Sequence, residues 1–243
     1  MAEHDFKAFH SAMKTQVDEN FLPGVSTALL SGRDVVDTFC YGFADKEAGI
    51  PLLEDHIFRM FSSTKLVTSC AVLMLFEEGR IKWDDPIETY IPELGARQVL
   101  RPSATSIDDI EPANASITIR HLMTHTSGLS YGMFDPGTVM FNAYNSAVVM
   151  HPGKQLSEMM TTLASLPLSF HPGTQWEYSV ATDVLGRLVE VVSGVSFSKF
   201  LSIRIFEPLG MIDTDFWVPA TKLASMCAVC WRRSFGSDQA RAL

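Results

Sequence analysis

Residues 62–79 read SSTKLVTSCAVLMLFEEG, and this run restricts the fold more than any other part of the chain. Leu66, Cys70, Leu73, Met74 and Glu77 fall on one side of a 3.6-residue period, and Val67, Ala71, Val72, Leu75 and Phe76 cover most of the rest. A helix that is apolar on nearly all sides belongs in a protein interior. The spacing therefore predicts a buried central helix, which Gly79 ends from the C′ position. Lys65 stands at its head, and an ammonium entering an apolar interior requires a partner.

The flanking segments supply the rest of the architecture. VSTALL and VVDTFCYG, either side of Ser31-Gly32-Arg33-Asp34, alternate in character and read as an antiparallel hairpin over residues 24–42. Asp84-Asp85-Pro86 starts a further element that ends near Pro92. Residues 100–116 read as a polar loop, 117–123 as a helix, and 131–153, punctuated by Gly and Pro, as a long irregular excursion. Helices are predicted over 156–166, 182–192 (closed by Gly194) and 197–206, with a His171-Pro172-Gly173 turn before the second. Past Pro219 neither period is present. A strand pair followed mostly by helices, without β-α-β alternation, gives an α/β chain of the α+β kind.

Composition excludes several classes. Apolar residues make up 47% of the 243, enough for a sizeable core. A net charge of −9 opposes a nucleic-acid or anionic-membrane partner. The N-terminus, MAEHDFKAFHSAM, has neither the basic start nor the apolar stretch of a secretory signal. No run approaches the roughly 18 apolar residues of a membrane span, so the expected compartment is the cytoplasm. There Cys40, Cys70, Cys227 and Cys230 are expected as thiols. Cys227-Ala-Val-Cys230 has C-x-x-C spacing, but no second pair or nearby His completes a zinc site.

The chemistry centres on Ser62-Ser63-Thr64-Lys65. A serine hydroxyl is a poor nucleophile until a base activates it. Helical positions i and i+3 lie on one face, about 5–6 Å apart at Cβ, so Lys65 can stand beside Ser62. The positive end of the helix dipole favours an alkoxide there, and amides at the helix start can hold an oxyanion. The same four residues also suit a capping serine and a solvated lysine; the apolar helix behind Lys65 argues for the first reading. In Trp176-Glu177-Tyr178-Ser179-Val180, Tyr178 can reach the pair from another element and relay a proton. A half-buried core tyrosine is the alternative. No H-E-x-x-H, Walker A or G-x-G-x-x-G pattern occurs.

FRMFSSTKLVTSCAVLMLFEEGRI, HLMTHTSGLSYG and HPGTQWEYSVATDVLGRLVEVVSG, in this order, resemble the serine β-lactamase-like and penicillin-binding-protein-like family. The nearest likeness is to class C β-lactamase-related esterases, or family VIII carboxylesterases, over about residues 20–217. The resemblance implies an antiparallel sheet flanked by helices over about 1–61 plus about 215–243, a mostly helical region over about 62–214, and an active site at their junction. It implies acylation of Ser62, with Lys65 as its partner and Tyr178 as the motif tyrosine, and needs no metal or cofactor. The expected substrate is a small-molecule ester. His125 becomes a structural turn residue, and Tyr131 either borders the acyl pocket or lies on the surface. Two departures stand out. Val180 replaces an asparagine that contacts the substrate amide in β-lactamases, which favours esters over β-lactams or D-alanyl peptides. The family's third motif (Lys-Thr-Gly, His-x-Gly or Trp-Gly-Gly) has no match after Pro219. The expectation is thus a C-terminally truncated family member with an incomplete sheet. Such a chain is either a carboxylesterase or a non-catalytic fragment, and its open sheet edge is available to a second copy.

Overall fold

Gly32 takes the left-handed φ of 64° that a two-residue hairpin turn requires, and the flanking β-rich segments pair across it. The fold comes from a computed structural model that describes residues 5–228. β1 (Gly24–Ser31) and β2 (Asp34–Asp45) are antiparallel, from Gly24 opposite Gly42 to Ser31 opposite Asp34, with a bulge at Leu29/Leu30. A two-residue β3 (Ile50–Pro51) joins the far side of β2, giving the order β1-β2-β3.

The chain divides into two units. In the first, residues 5–60 and 216–228, helix α1 (Lys7–Asp18) packs on the hairpin. His10 stacks on Phe39 with ring centres 4.4 Å apart, its Nε2 meets Asp37 at 2.8 Å, and Tyr41 Oη donates to Asp18 at 3.0 Å. The chain returns to this unit near its end. Ile57 N–H donates to Ser225 O at 2.7 Å, Cys227 N–H to Ile57 O at 2.9 Å, and Arg59 to Cys227 O at 2.9 Å.

The second unit, Phe61–Asp215, is the helical one. It holds α2 (Thr64–Glu77), the short ribbon of β4 (Gln98–Leu100) and β5 (Ile110–Pro112), then α3 (Ile119–Met123), α4 (Val139–Ser146), α5 (Leu156–Ala164), α6 (Ala181–Ser193) and α7 (Phe197–Leu201). Helix α6 is the hub: α2, α3, α5 and α7 all pack on it. Ala71, Val72 and Leu75 from α2 share one buried cluster with Val184, Leu185, Leu188 and Val189 from α6 and Met160 and Leu163 from α5. Each large member contributes about 1.5–3 kcal/mol through burial. Arg97 reaches into this unit and donates to the carbonyls of Leu163, Ala164 and Leu166, satisfying the C-terminal acceptors of α5.

Several expectations are corrected. Helix α2 is not covered on all sides: Leu66 (72% exposed), Cys70 and Leu73 (42% exposed) form an open stripe at positions i, i+4 and i+7. Periodicity records how apolar a face is, and not whether a neighbour exists to cover it. The excursion over 131–153 contains α4, capped by Thr138, whose hydroxyl accepts from Phe141 N–H, and anchored by buried Met140 and Tyr144. The polar stretch 100–116 contributes β5, because backbone pairing with β4 needs no apolar side chains. The segment 197–206 is α7 followed by a π-helical turn over Ser202–Phe206. Among the described residues no helix is long and apolar enough to cross a membrane. Cys40, Cys70 and Cys227 are free thiols, and Cys230 lies outside the described residues.

The loop leading from α3 depends on Gly128. Its φ is 82°, and a Cβ there would lie 2.2 Å from Phe170 O. Gly128→Ala is expected to destabilise the chain by about 2–4 kcal/mol, combining left-handed strain with overpacking. Gly32→Ala, with similar φ but nothing within 4 Å of its Cβ, should lose only about 1–2 kcal/mol. Urea unfolding midpoints compare the two, and equal losses would refute the steric account.

Candidate active site

Ser62 lies in a 3-10 turn over Phe61–Ser63 that runs directly into α2. Side chains three residues apart eclipse in a 3-10 turn. Lys65, the second residue of α2, therefore projects over Ser62, with Nζ 3.5 Å from Oγ. The preceding residue, Phe61, has a positive φ of 41°. That region is sparsely populated for a bulky side chain and costs of order 1–3 kcal/mol, a strain typical of functional turns.

Tyr178 arrives from 116 positions away, three residues before α6, and its Oη donates to Ser62 Oγ at 2.7 Å. The backbone around it is tightly held. Glu177 N–H donates to His125 O at 3.0 Å, and Val180 N–H to Ser130 O at 3.2 Å. Lys65 Nζ lies 4.8 Å from the centre of the Tyr178 ring and 5.8 Å from that of Tyr131, within cation–π range of both. Tyr131 stacks on Tyr178 at 5.7 Å, and Phe134 meets both rings. The structure thus brings Ser62, Lys65, Tyr178 and Tyr131 together within the helical unit.

Electrostatics give these groups different tendencies. Burial raises the Tyr178 phenol, but hydrogen bonds with Lys65 and Ser62 and the lysine charge outweigh it, and the net shift is downward. The Tyr131 phenol moves the other way, raised by burial first and then by Asp183 and Tyr178. Asp183, in the first turn of α6, is raised by burial and pulled back by the charge of Lys65. It is a second charged group at the site that the sequence reading missed. Helical periodicity gave no signal for it, since Asp183 falls on the polar side of α6 with Arg187 and Glu190, away from Val184, Leu185 and Leu188.

Other candidates are placed elsewhere. The Nδ1 of His125 is engaged by Ser179, and its ring lies 5.0 Å from that of Tyr178. Val180 is fully buried in the core, so its side chain offers a substrate nothing polar. Gly128-Leu129-Ser130-Tyr131-Gly132 spells the G-x-S-x-G of a nucleophile elbow. Ser130 is buried in a loop, its N–H donates to Tyr144 Oη at 3.0 Å, and no strand-to-helix elbow presents it. A cavity of about 770 Å³ in the same unit is lined by Val99, Phe134, Met140, Ser169 and Glu177 but by none of Ser62, Lys65 and Tyr178. Phe134, which meets the Tyr178 ring, and Glu177, the neighbour of Tyr178 in the chain, are on its wall, so this cavity adjoins the trio without including it. Among the described residues no group of His, Cys, Asp and Glu is arranged to hold a metal ion.

This combination of a mixed α/β fold with a serine and lysine at the head of one helix and a tyrosine at the head of another defines a class. Residues 9–225 match the Beta-lactamase family, and the chain belongs to it. Esterase EstB of Burkholderia gladioli is 39% identical over 199 residues, which are 82% of this chain and 48% of EstB. Lovastatin esterase of Penicillium rubens is 32% identical over 220 residues, covering 85% of this chain and 53% of that protein. Among solved structures, unliganded simvastatin synthase (LovD) of Aspergillus terreus matches with a TM-score of 0.72 at 27% identity, over 90% of this chain and 57% of LovD. The chain spans about half the length of the curated relatives it matches.

Lys65 lowers the Tyr178 phenol by both hydrogen bond and charge, so removing it must raise that group. In Lys65→Met, ionisation of Tyr178 is expected to shift upward, because the hydrogen bond and charge that lower it are gone. Ultraviolet difference titration against a Tyr178→Phe control in each background isolates the one phenol. An unchanged midpoint would mean that the lysine does not act on the ring.

Proposed function

We propose that this chain is a serine hydrolase that cleaves carboxylic esters through an acyl-enzyme on Ser62. The observation that carries the proposal is the placement of Tyr178 Oη 2.7 Å and Lys65 Nζ 3.5 Å from a single serine oxygen. The hydrogen bond between Tyr178 Oη and Ser62 Oγ is the path along which the tyrosine, once ionised, takes the serine proton, and the Lys65 ammonium favours that ionised form. Ser62 Oγ then bonds to the ester carbonyl carbon. The carbonyl oxygen takes the negative charge, and the proton held on Tyr178 passes to the departing alkoxide, which leaves as the alcohol. Water repeats the sequence in reverse: it gives a proton to Tyr178, bonds to the acyl carbon and releases the acid, while the proton returns to Ser62. No side chain caps the first turn of α2, which suits its amides to face the developing oxyanion.

Val180 supports esters over β-lactams and D-alanyl peptides, because a buried valine supplies no hydrogen bond to a substrate amide. The esterases among its relatives point the same way. Relatives named as acyltransferases favour a second acceptor in place of water, with the same acyl-enzyme. Tyr131, stacked on Tyr178 and beside Lys65, is proposed to border the acyl group.

A fluorophosphonate probe should label the protein at Ser62, and Ser62→Ala should abolish the label. Short-chain p-nitrophenyl esters should be turned over far better than nitrocefin, and Tyr178→Phe should lower ester turnover by about 10²–10⁴-fold. Labelling that persists in Ser62→Ala would move the nucleophile elsewhere. A preference for nitrocefin would overturn the ester reading, and a wild-type chain that neither labels nor turns over esters would identify a non-catalytic protein.

A further inference from the structure

His125 has one of the few positive backbone φ angles outside glycine, 55°, in a region where His, Asn and Asp are enriched. That twist points its carbonyl and its ring at the same neighbouring strip of chain. Its carbonyl accepts from Glu177 N–H at 3.0 Å. Its Nδ1 accepts from Ser179 N–H at 3.2 Å, and Ser179 Oγ lies 3.1 Å from the same nitrogen. The two amides flanking Tyr178 are therefore both tied to one residue. The imidazole also lies against the tyrosine ring at 5.0 Å and meets Trp176 edge-on at 6.3 Å.

The hydrogen-bond bookkeeping fixes the state of the imidazole. A backbone N–H can only donate, so Nδ1 must carry a lone pair, and the ring is neutral with its proton on Nε2. Ser179 is fully buried, and its hydroxyl accepts from Ala181 N–H at 3.3 Å while donating to Nδ1. The chain of contacts thus runs from His125 through Ser179 into the first residue of α6. Burial lowers the imidazole below its ordinary range, and the charge of Lys65 adds to that, in keeping with a neutral acceptor.

We propose that His125 is a positioning residue for Tyr178: as a neutral imidazole it grips the backbone on both sides of the tyrosine and sets Oη against Ser62. The proposal rests on the reading of Tyr178 as the proton carrier. A shift of about 1 Å in such a group can cost about 10²-fold in rate. His125 acts through Tyr178, and its own protonation does not enter the reaction.

Two substitutions separate the acceptor from the backbone. His125→Gly keeps the left-handed conformation but deletes the ring. His125→Asn keeps that conformation and puts an amide oxygen where Nδ1 was. The Gly variant is expected to lose about 10²-fold in ester kcat with little change in KM, and the Asn variant to stay within about one order of magnitude of the wild type. Ionisation of Tyr178, read by ultraviolet difference against Tyr178→Phe, should shift upward in the Gly variant and stay low in the Asn variant. Nitrogen NMR of the wild type should show His125 Nδ1 unprotonated and Nε2 protonated from neutral pH down to below the ordinary histidine range. Equal behaviour of the Gly and Asn variants, or a proton on Nδ1, would overturn the proposal. Absent ester turnover in every form would count against the hydrolase reading alone, since the titration and NMR still test His125.

Discussion

Ala71, Val72 and Leu75 on α2 close against Val184, Leu185 and Leu188 on α6, and the placement of Ser62, Lys65 and Tyr178 follows from that contact. Ser62 and Lys65 belong to the head of α2, and Tyr178 precedes the head of α6. Neither helix start is a site by itself. When the two apolar faces meet, the leading turns come within a 2.7 Å hydrogen bond of each other. Interior packing tolerates little slack, so such a core fixes the pair more firmly than a loop could.

Charge at the site is balanced by surroundings of several kinds. Lys65 faces two aromatic rings and shares its neighbourhood with Asp183, whose own carboxyl is raised by burial. The two tyrosines beside the lysine are pushed in opposite directions. The one bonded to Ser62 and Lys65 is lowered, and the one stacked behind it is raised. The opposite shifts follow from opposite surroundings: hydrogen bonds and a cation around one phenol, burial and a carboxylate around the other.

Backbone strain is present at the site, as it is at Asn20, Ala96, Ser103 and Val148 elsewhere. Phe61 and His125 both have positive φ without being glycine, and each adjoins or holds a member of the trio. Gly128, in the loop that begins at His125, permits an approach to Phe170 that a Cβ would block. The surrounding core over-determines these conformations, which is how local strain persists in a folded chain.

The hairpin over 24–42, the helix from Thr64 to Glu77 and the neighbourhood of Ser62 and Lys65 were legible in the sequence because each depends on short-range periodicity. Helix α4 was not: the Gly and Pro of 131–153 pointed to an irregular excursion, although Thr138 caps the helix and Met140 and Tyr144 anchor it. The strand pairing of 110–112 was not, since a two-strand ribbon held by backbone amides leaves little trace in side-chain pattern. The sequence determined by itself that Ser62 and Lys65 share a turn, since three residues of helical chain leave them no other arrangement. Only the tertiary structure decided that Tyr178, rather than His125, meets Ser62, and that Leu66, Cys70 and Leu73 stay uncovered. Contacts between residues 54 or 116 positions apart depend on how whole helices pack, and no local period encodes that.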